Sequence, residues 1–285
     1  MKPMSLRPAN IPLPYFDFLL EQLNQGEPMV QQAFGRHVHW GYWPYPKQAD
    51  GSVEDFAIAS ERLCQRVIAA AGVKEGDRVL DVGCGFGGTI ASLNEQFHTV
   101  NLTGLNIDPR QLARARQTIK PLNQNQIEFV EADACQMPFA DASMDVVLAV
   151  ECIFHFPSRV TFFQEARRVL RPGGRLGLCD FVSTPFFQAL QNVTAQLGVK
   201  LANPVYGRVD SSFTLSDYKI LACETGFSLR LQEDITRNTL PTYPVVCHVF
   251  EQMNYSKAVK ATATAGLLSR LGLLRYQILS FAIQN

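Results

Sequence analysis

Val79-Leu80-Asp81-Val82-Gly83-Cys84-Gly85-Phe86-Gly87-Gly88 is the stretch that decides the fold. A short apolar run ends in glycines, and a helix-compatible segment, Thr89 to Phe97, follows. That order reads as a strand, a tight turn and a helix. Gly83, Gly85 and Gly88 keep the G-x-G-x-x-G spacing of a nucleotide-binding turn. Glycine suits such a turn because it permits backbone angles a Cβ forbids and lets a ligand approach the main chain. Taken alone, the spacing also permits a nicotinamide cofactor.

Outward from this turn, strands and helices alternate. Thr99 to Asn106 reads as a second strand. Asp108-Pro109 starts a helix to about Lys120, with Asp as cap and Pro as first helical residue. Ile127 to Glu131 and Asp145 to Val150 are the third and fourth strands. Arg159 to Leu170 is helical and is broken by Arg171-Pro172-Gly173-Gly174, before a fifth strand from Arg175 to Asp180. This alternation predicts an α/β fold with a doubly wound, mostly parallel sheet. Leu215 to Thr225 reads as a helix ending at Gly226. Phe227 to Asp234 and Leu274 to Ala282 read as closing strands with one helix, Val245 to Leu268, between them.

Upstream, Tyr15 to Leu23 suits a short helix. Val53 to Ala71 suits an amphipathic one with Phe56, Ile58, Ala59, Leu63, Val67 and Ile68 buried. Between them, residues 34–46 are aromatic, punctuated by Gly and Pro, and contain both tryptophans, Trp40 and Trp43. Such a loop is either a hydrophobic plug or a ligand lid. The division expected is an N-terminal helical arm and lid, 1–72, and a core, 73–285. An insertion at about 181–218 would build an acceptor pocket.

Composition narrows the function. With 47% hydrophobic and 18% charged residues, the 285-residue chain reads as a soluble globule. Lys+Arg and Asp+Glu balance at 26 each, so no basic field invites nucleic acid. No apolar run reaches the ~20 residues of a membrane helix, and the N-terminus lacks the apolar core of a signal peptide. The seven cysteines are odd in number, spread out and free of C-x-x-C, so neither a zinc site nor a disulfide framework is indicated. They suit a reduced, cytoplasmic protein. No metal-ligand cluster is visible. His37, His39 and His248 have no partner legible in the sequence.

In an open parallel sheet, ligands bind at the carboxyl ends of the strands. The residues there are Asp81 with the glycines, then Asn106-Ile107-Asp108, then Asp133-Ala134, then Val150-Glu151 leading to His155, and Asp180. Four segments taken together carry a resemblance. They are Val79–Gly88, Thr103–Ala115, Glu131–Phe139 (Glu-Ala-Asp-Ala-Cys-Gln-Met-Pro-Phe), and Phe162–Asp180 with its Arg-Val-Leu-Arg-Pro-Gly-Gly. In order and spacing they resemble the class I S-adenosylmethionine-dependent methyltransferases. The resemblance is to the small-molecule group of ubiquinone, tocopherol and sterol C-methyltransferases and natural-product O-methyltransferases.

The resemblance implies S-adenosyl-L-methionine as cofactor. It places Gly83 and Gly85 beside the methionine part, with Asp81 and Cys84 also in the cofactor site. Asn106, Ile107 and Gln111 fall near the ribose, and Asp133 and Ala134 near the adenine. Val150 and Glu151 line the cradle. Asn106 departs from the family's usual carboxylate; its amide oxygen still accepts hydrogen bonds. His155 is the candidate general base for a hydroxyl nucleophile, and Asp180 the candidate carboxylate orienting it, as in sugar O-methyltransferases of the rebeccamycin type. The acceptor implied is a small or medium molecule, apolar or large. O-methylation of a specialised metabolite is the first reading. C-methylation of a quinone, sterol or unsaturated lipid is the second. A protein that binds the cofactor without turnover is the rival outside enzymology.

Overall fold

The computed structural model describes residues 13–196, 204–207 and 209–284. In chain order the helices and strands are α1 (Pro14–Asn24), α2 (Pro28–Phe34), α3 (Val53–Ala71), β1 (Arg78–Val82), α4 (Gly88–Gln96), β2 (Asn101–Asn106), α5 (Pro109–Thr118) and β3 (Gln126–Glu131). There follow β4 (Met144–Val150), α6 (Arg159–Val169), β5 (Leu170–Ser183), α7 (Pro185–Gln196), α8 (Leu215–Glu224), β6 (Phe227–Asp234), α9 (Thr236–Thr239), α10 (Thr242–Gln252), α11 (Ser256–Arg270) and β7 (Leu274–Ile283).

Seven strands form one sheet in the order β3-β2-β1-β4-β5-β7-β6. The first five are parallel. β7 runs antiparallel between β5 and β6. The central strands are apolar on both faces because helices cover both. Alternation is visible residue by residue. Leu80, Val147, Ala149, Leu176 and Leu178 pack on one side with α6 and α8. Val79, Val146, Leu148 and Cys179 pack on the other with α3 and α4. Strand order reverses between β1 and β4, so their carboxyl ends open a crevice there.

Local chemistry sets the helix ends. Ser52 caps α3 by accepting the Asp55 amide at 3.0 Å, and Gly72 ends that helix at φ +64°. Asp108 caps α5 through the Arg110 amide at 2.9 Å, as its sequence predicts. Thr214 and Asp217 form a reciprocal capping box on α8. A separate apolar cluster joins α1, α2 and α10 to the start of α3 and to Phe86. Among the described residues no helix is long and apolar enough to cross a membrane.

The structure corrects several expectations. The single helix read over Val245 to Leu268 is two, α10 and α11, broken where Asn254 takes φ +56°. Ile58, expected to be buried, is 52% exposed. α2 went unread because seven residues carry too little periodicity. The fifth strand begins at Leu170, not Arg175: Leu170 pairs with Met144, and a register shift absorbs the intervening residues. The stretch after the fifth strand is not loose throughout, since α7 occupies Pro185–Gln196. Parts of the expected insertion, residues 197–203 and 208, lie outside the described residues.

Candidate active site

The glycine turn leaves β1 and enters α4. Gly83 takes φ +64°, and a Cβ there would lie 2.7 Å from Cys152 Cβ, so only glycine lets the turns after β1 and β4 touch. Cys152 Sγ also reaches the Val82 carbonyl at 3.2 Å. At Gly88, a Cβ would lie 2.5 Å from both the Arg36 carbonyl oxygen and His37 Nδ1. That glycine admits the aromatic loop to the helix start.

One cavity extends from this turn along the strand ends. Asp81, Gly83, Cys84, Gly85, Asn106, Ile107, Gln111, Asp133, Ala134, Val150, Glu151 and His155 all line it. Asp180 does not. Asp81 is 1% exposed, and neither of its carboxylate oxygens has a hydrogen-bond partner among the described residues. Burial pushes its carboxyl up to about 8, with the neighbouring Thr89 hydroxyl offsetting part of that. A buried, orphaned carboxylate on a cavity wall suits a cationic ligand group.

At the end of β2, Asn106 is buried and already committed. Its Oδ1 accepts the Asp108 amide and its Nδ2 donates to Gln111 Oε1, each at 3.0 Å. One acceptor site on the Asn106 oxygen remains for a ligand hydroxyl. Asp133 Oδ1 accepts the Cys135 amide at 2.8 Å, which fixes the turn after β3. Glu151, after β4, takes φ +52°. Its Oε2 accepts from the Trp40 amide at 2.9 Å and from the Tyr276 hydroxyl. Burial pushes the Glu151 carboxyl up to about 8, while those two donors pull it back.

His155 sits in a single 3₁₀ turn after β4 and is 9% exposed. Its Nε2 lies 3.4 Å from the Tyr15 hydroxyl on α1, a long contact that still fixes the facing of the ring. Phe154 packs edge-on against it.

Asp180 is bonded away from His155. It is fully buried; its Oδ1 accepts the Phe181 amide, and its Oδ2 accepts from Arg159 at 3.0 Å and from the Tyr218 hydroxyl. Arg159, 3% exposed in its side chain, also binds the Asp210 carboxylate at 2.6 Å and the Asp210 carbonyl at 2.7 Å. Asp180 is therefore the counter-ion of a buried arginine. No hydrogen bond joins it to His155 among the described residues. Arg159 could not be read as a competitor from sequence, because the two meet only when α6 packs on β5.

The aromatic loop is both anchored and part of the wall. Trp43 is 3% exposed and donates its Nε1–H to Asp55 at 2.7 Å, so this ring is a plug in the core. Arg36, His37, Val38 and His39 line the cavity. His37 and His39, for which the sequence offered no partner, face each other with His39 Nε2 3.1 Å from His37 Nδ1, and His37 Nε2 lies 2.8 Å from Glu61 of α3. Burial pushes the His37 imidazole down and that of His39 to about 3. For Glu61, burial works upward but His37, Arg36 and Ser92 hold it below the usual carboxylate range.

Tyr15, Phe16, Arg36 and Thr89 also line the cavity and were not singled out in the sequence. Only Thr89, directly after the glycines, had a local signal. Tyr15 and Phe16 looked like ordinary helix-face residues.

A family model described as "Methyltransferase domain" matches residues 80–178. The chain is 30% identical over 249 residues to "Methyltransferase GfsG" of Streptomyces halstedii, covering 86% of each. It is 32% identical over 227 residues to "27-O-demethylrifamycin SV methyltransferase" of Amycolatopsis mediterranei, covering 78% of each. Its fold is similar to that of the cyclopropane synthase MmaA2 from Mycobacterium tuberculosis, with TM-score 0.73 and 16% identity over 95% of this chain and 99% of that one.

Proposed function

Because the chain belongs to the class I S-adenosylmethionine-dependent methyltransferases acting on small molecules, we propose that its acceptor is a hydroxyl oxygen of a specialised metabolite. In this reading His155 is the general base. One observation carries it: His155, faced by the Tyr15 hydroxyl, stands on the wall of the same cavity as Asp81, Asn106 and Asp133. When bound, S-adenosylmethionine supplies an electrophilic methyl group on a sulfonium. The protein must align a nucleophile with it and accept the hydroxyl proton. His155 takes that proton on an imidazole nitrogen, and Tyr15 and Phe154 hold the ring. The start of α1 and the aromatic loop bound the acceptor, whose apolar character fits Tyr15, Phe16 and Phe156 in the wall. The seven described cysteines are all free, which suits a reducing, cytoplasmic setting.

The residues present fit the cofactor. In this reading Asp133 accepts from the adenine amino group and Asn106 from the ribose, both from the cavity wall. Asp133→Ala should weaken S-adenosylhomocysteine binding by about 1.5–3 kcal/mol, the value of a hydrogen bond to a charged acceptor. Titration calorimetry reads this directly, and an unchanged affinity removes Asp133 from the site.

Asp81 adds a proton linkage. With its carboxyl raised to about 8, Asp81 is mostly protonated at pH 7 in the free protein. A cationic ligand beside it favours the carboxylate, so cofactor binding at pH 7 should release a proton. Calorimetry in two buffers of different ionisation enthalpy should give different apparent heats, and Asp81→Asn should abolish the difference. Because this acid is raised on folding, the free protein should lose stability as pH climbs from about 4, the unfolded value, towards 8. Buffer-independent heats in the parent protein would contradict the assignment.

A second reading, methylation at carbon, has one observation in its favour. Trp40, Phe154 and Tyr276 each pack against Phe181 at centroid distances of 6.0, 5.9 and 4.5 Å, beside Glu151. Aromatic faces of this kind stabilise a cationic carbon skeleton.

A further inference from the structure

His37, His39 and Cys64 bring one imidazole nitrogen each and a thiol to within 4.8 Å of one another, all buried. The hydrogen bonds around the two rings fix which nitrogens carry protons. His37 Nε2 lies 2.8 Å from a Glu61 carboxylate oxygen, and His39 Nδ1 lies 2.9 Å from the Trp40 carbonyl oxygen. Both partners only accept, so both outer nitrogens are N–H. Two neutral rings then have no proton left for the inner pair. His37 Nδ1 and His39 Nε2 face each other at 3.1 Å with a lone pair each. That contact is repulsive unless a cation lies between the rings.

We propose that His37 Nδ1, His39 Nε2 and Cys64 Sγ form a site for a soft divalent metal ion, with Zn²⁺ as the best match. Metal-binding histidines characteristically donate their outer N–H to a carboxylate or a backbone carbonyl, and these two do one of each. Two nitrogens about 2.05 Å from a tetrahedral Zn²⁺ stand roughly 3.3 Å apart, close to the 3.1 Å found. A Zn–S bond of about 2.3 Å requires the thiol to close by no more than roughly 1.2 Å. A third proton on the rings also relieves the contact, but it gives Cys64 no part. The orienting carboxylate is itself held: Glu61 Oε2 accepts from Arg36 at 2.9 Å and from Ser92 at 3.0 Å. Glu61 and Cys64 are one turn apart on α3, so the helix and the aromatic loop share the ion. The loop residues that bind it also line the cofactor cavity, and the ion would tie that wall to α3.

The test uses full-length, reduced protein stripped with a chelator. Co²⁺ stands in for Zn²⁺ because it reports its ligands by absorption. One equivalent should produce a thiolate-to-cobalt charge-transfer band, and Zn²⁺ should bleach it and raise the thermal midpoint. Cys64→Ser should lose the band, whereas Cys247→Ser, on α10 and outside the cluster, should keep it. Glu61→Gln leaves the three ligands in place and should weaken the metal about 10–100-fold, the usual effect of losing an orienting carboxylate. A parent protein with neither band nor midpoint shift at one equivalent overturns the proposal without reference to any variant. A band that survives in Cys64→Ser overturns it as well, because another thiol then holds the cobalt.

Discussion

His155→Ala should lower the methyl-transfer rate by about 10²–10⁴-fold while leaving cofactor affinity nearly intact. The imidazole faces Tyr15, and in the proposed reading it points to the acceptor while Asp81, Asn106 and Asp133, on the same cavity wall, hold the cofactor. Removing the ring therefore removes the proton acceptor without touching those groups. Tyr15→Phe should cost much less, because the ring is also packed against Phe154 and loses only one long hydrogen bond. The rate of the parent enzyme should fall on the acid side as the imidazole protonates, and the alanine variant should lack that limb. Steady-state and single-turnover rates across pH, with labelled cofactor, measure both effects. If His155→Ala retains most of its turnover on the authentic acceptor, no base is needed. The nucleophile is then a carbon or an already ionised oxygen.

The glycine-turn side of this cavity was legible in the sequence because it is built locally. Gly83 to Gly88, Asn106 to Gln111 and Asp133-Ala134 each follow a strand within a few residues, and a parallel sheet aligns strand ends by construction. Strand-end position plus residue type was enough to place them on one cavity. The surroundings of His155 and Glu151 are assembled from distant segments; the sequence offered these two residues but not what faces them. Tyr15 reaches His155 across 140 positions. Trp40 and Tyr276 converge on Glu151 across more than a hundred positions each. The His37–His39–Glu61 chain was missed for a related reason: a histidine's partners depend on which helix face meets the loop. The break at Asn254 was missed because no glycine or proline lies between Val245 and Asn254; a left-handed asparagine is a weak sequence mark.

The second large effect concerns Asp180, whose position at the end of the fifth strand suggested catalysis. Arg159→Met should destabilise the protein by about 3–5 kcal/mol, since it strands a carboxylate with no exposure beside the Tyr218 hydroxyl and one backbone amide. Burial already pushes the Asp180 carboxyl up, and Arg159 is the main force drawing it back. The variant also frees Asp210, whose carboxylate and carbonyl both rest on the guanidinium and whose amide binds the Phe154 carbonyl at 2.9 Å. The segment after residue 208 should thus loosen beside His155, and KM for the acceptor should rise. Asp180→Asn should cost less, because Arg159 keeps Asp210 as partner. Arg159→Met combined with Asp180→Leu should recover part of the loss, as apolar replacement of a whole buried pair often does. Denaturant unfolding of the four proteins gives the coupling between the two side chains. The pH profile separates structure from catalysis. An ion pair that only clamps α6, β5 and the 209–213 segment leaves the acid limb of Asp180→Asn where it is in the parent. An Asp180→Asn protein of normal stability whose acid limb moves would instead return Asp180 to the role of orienting His155.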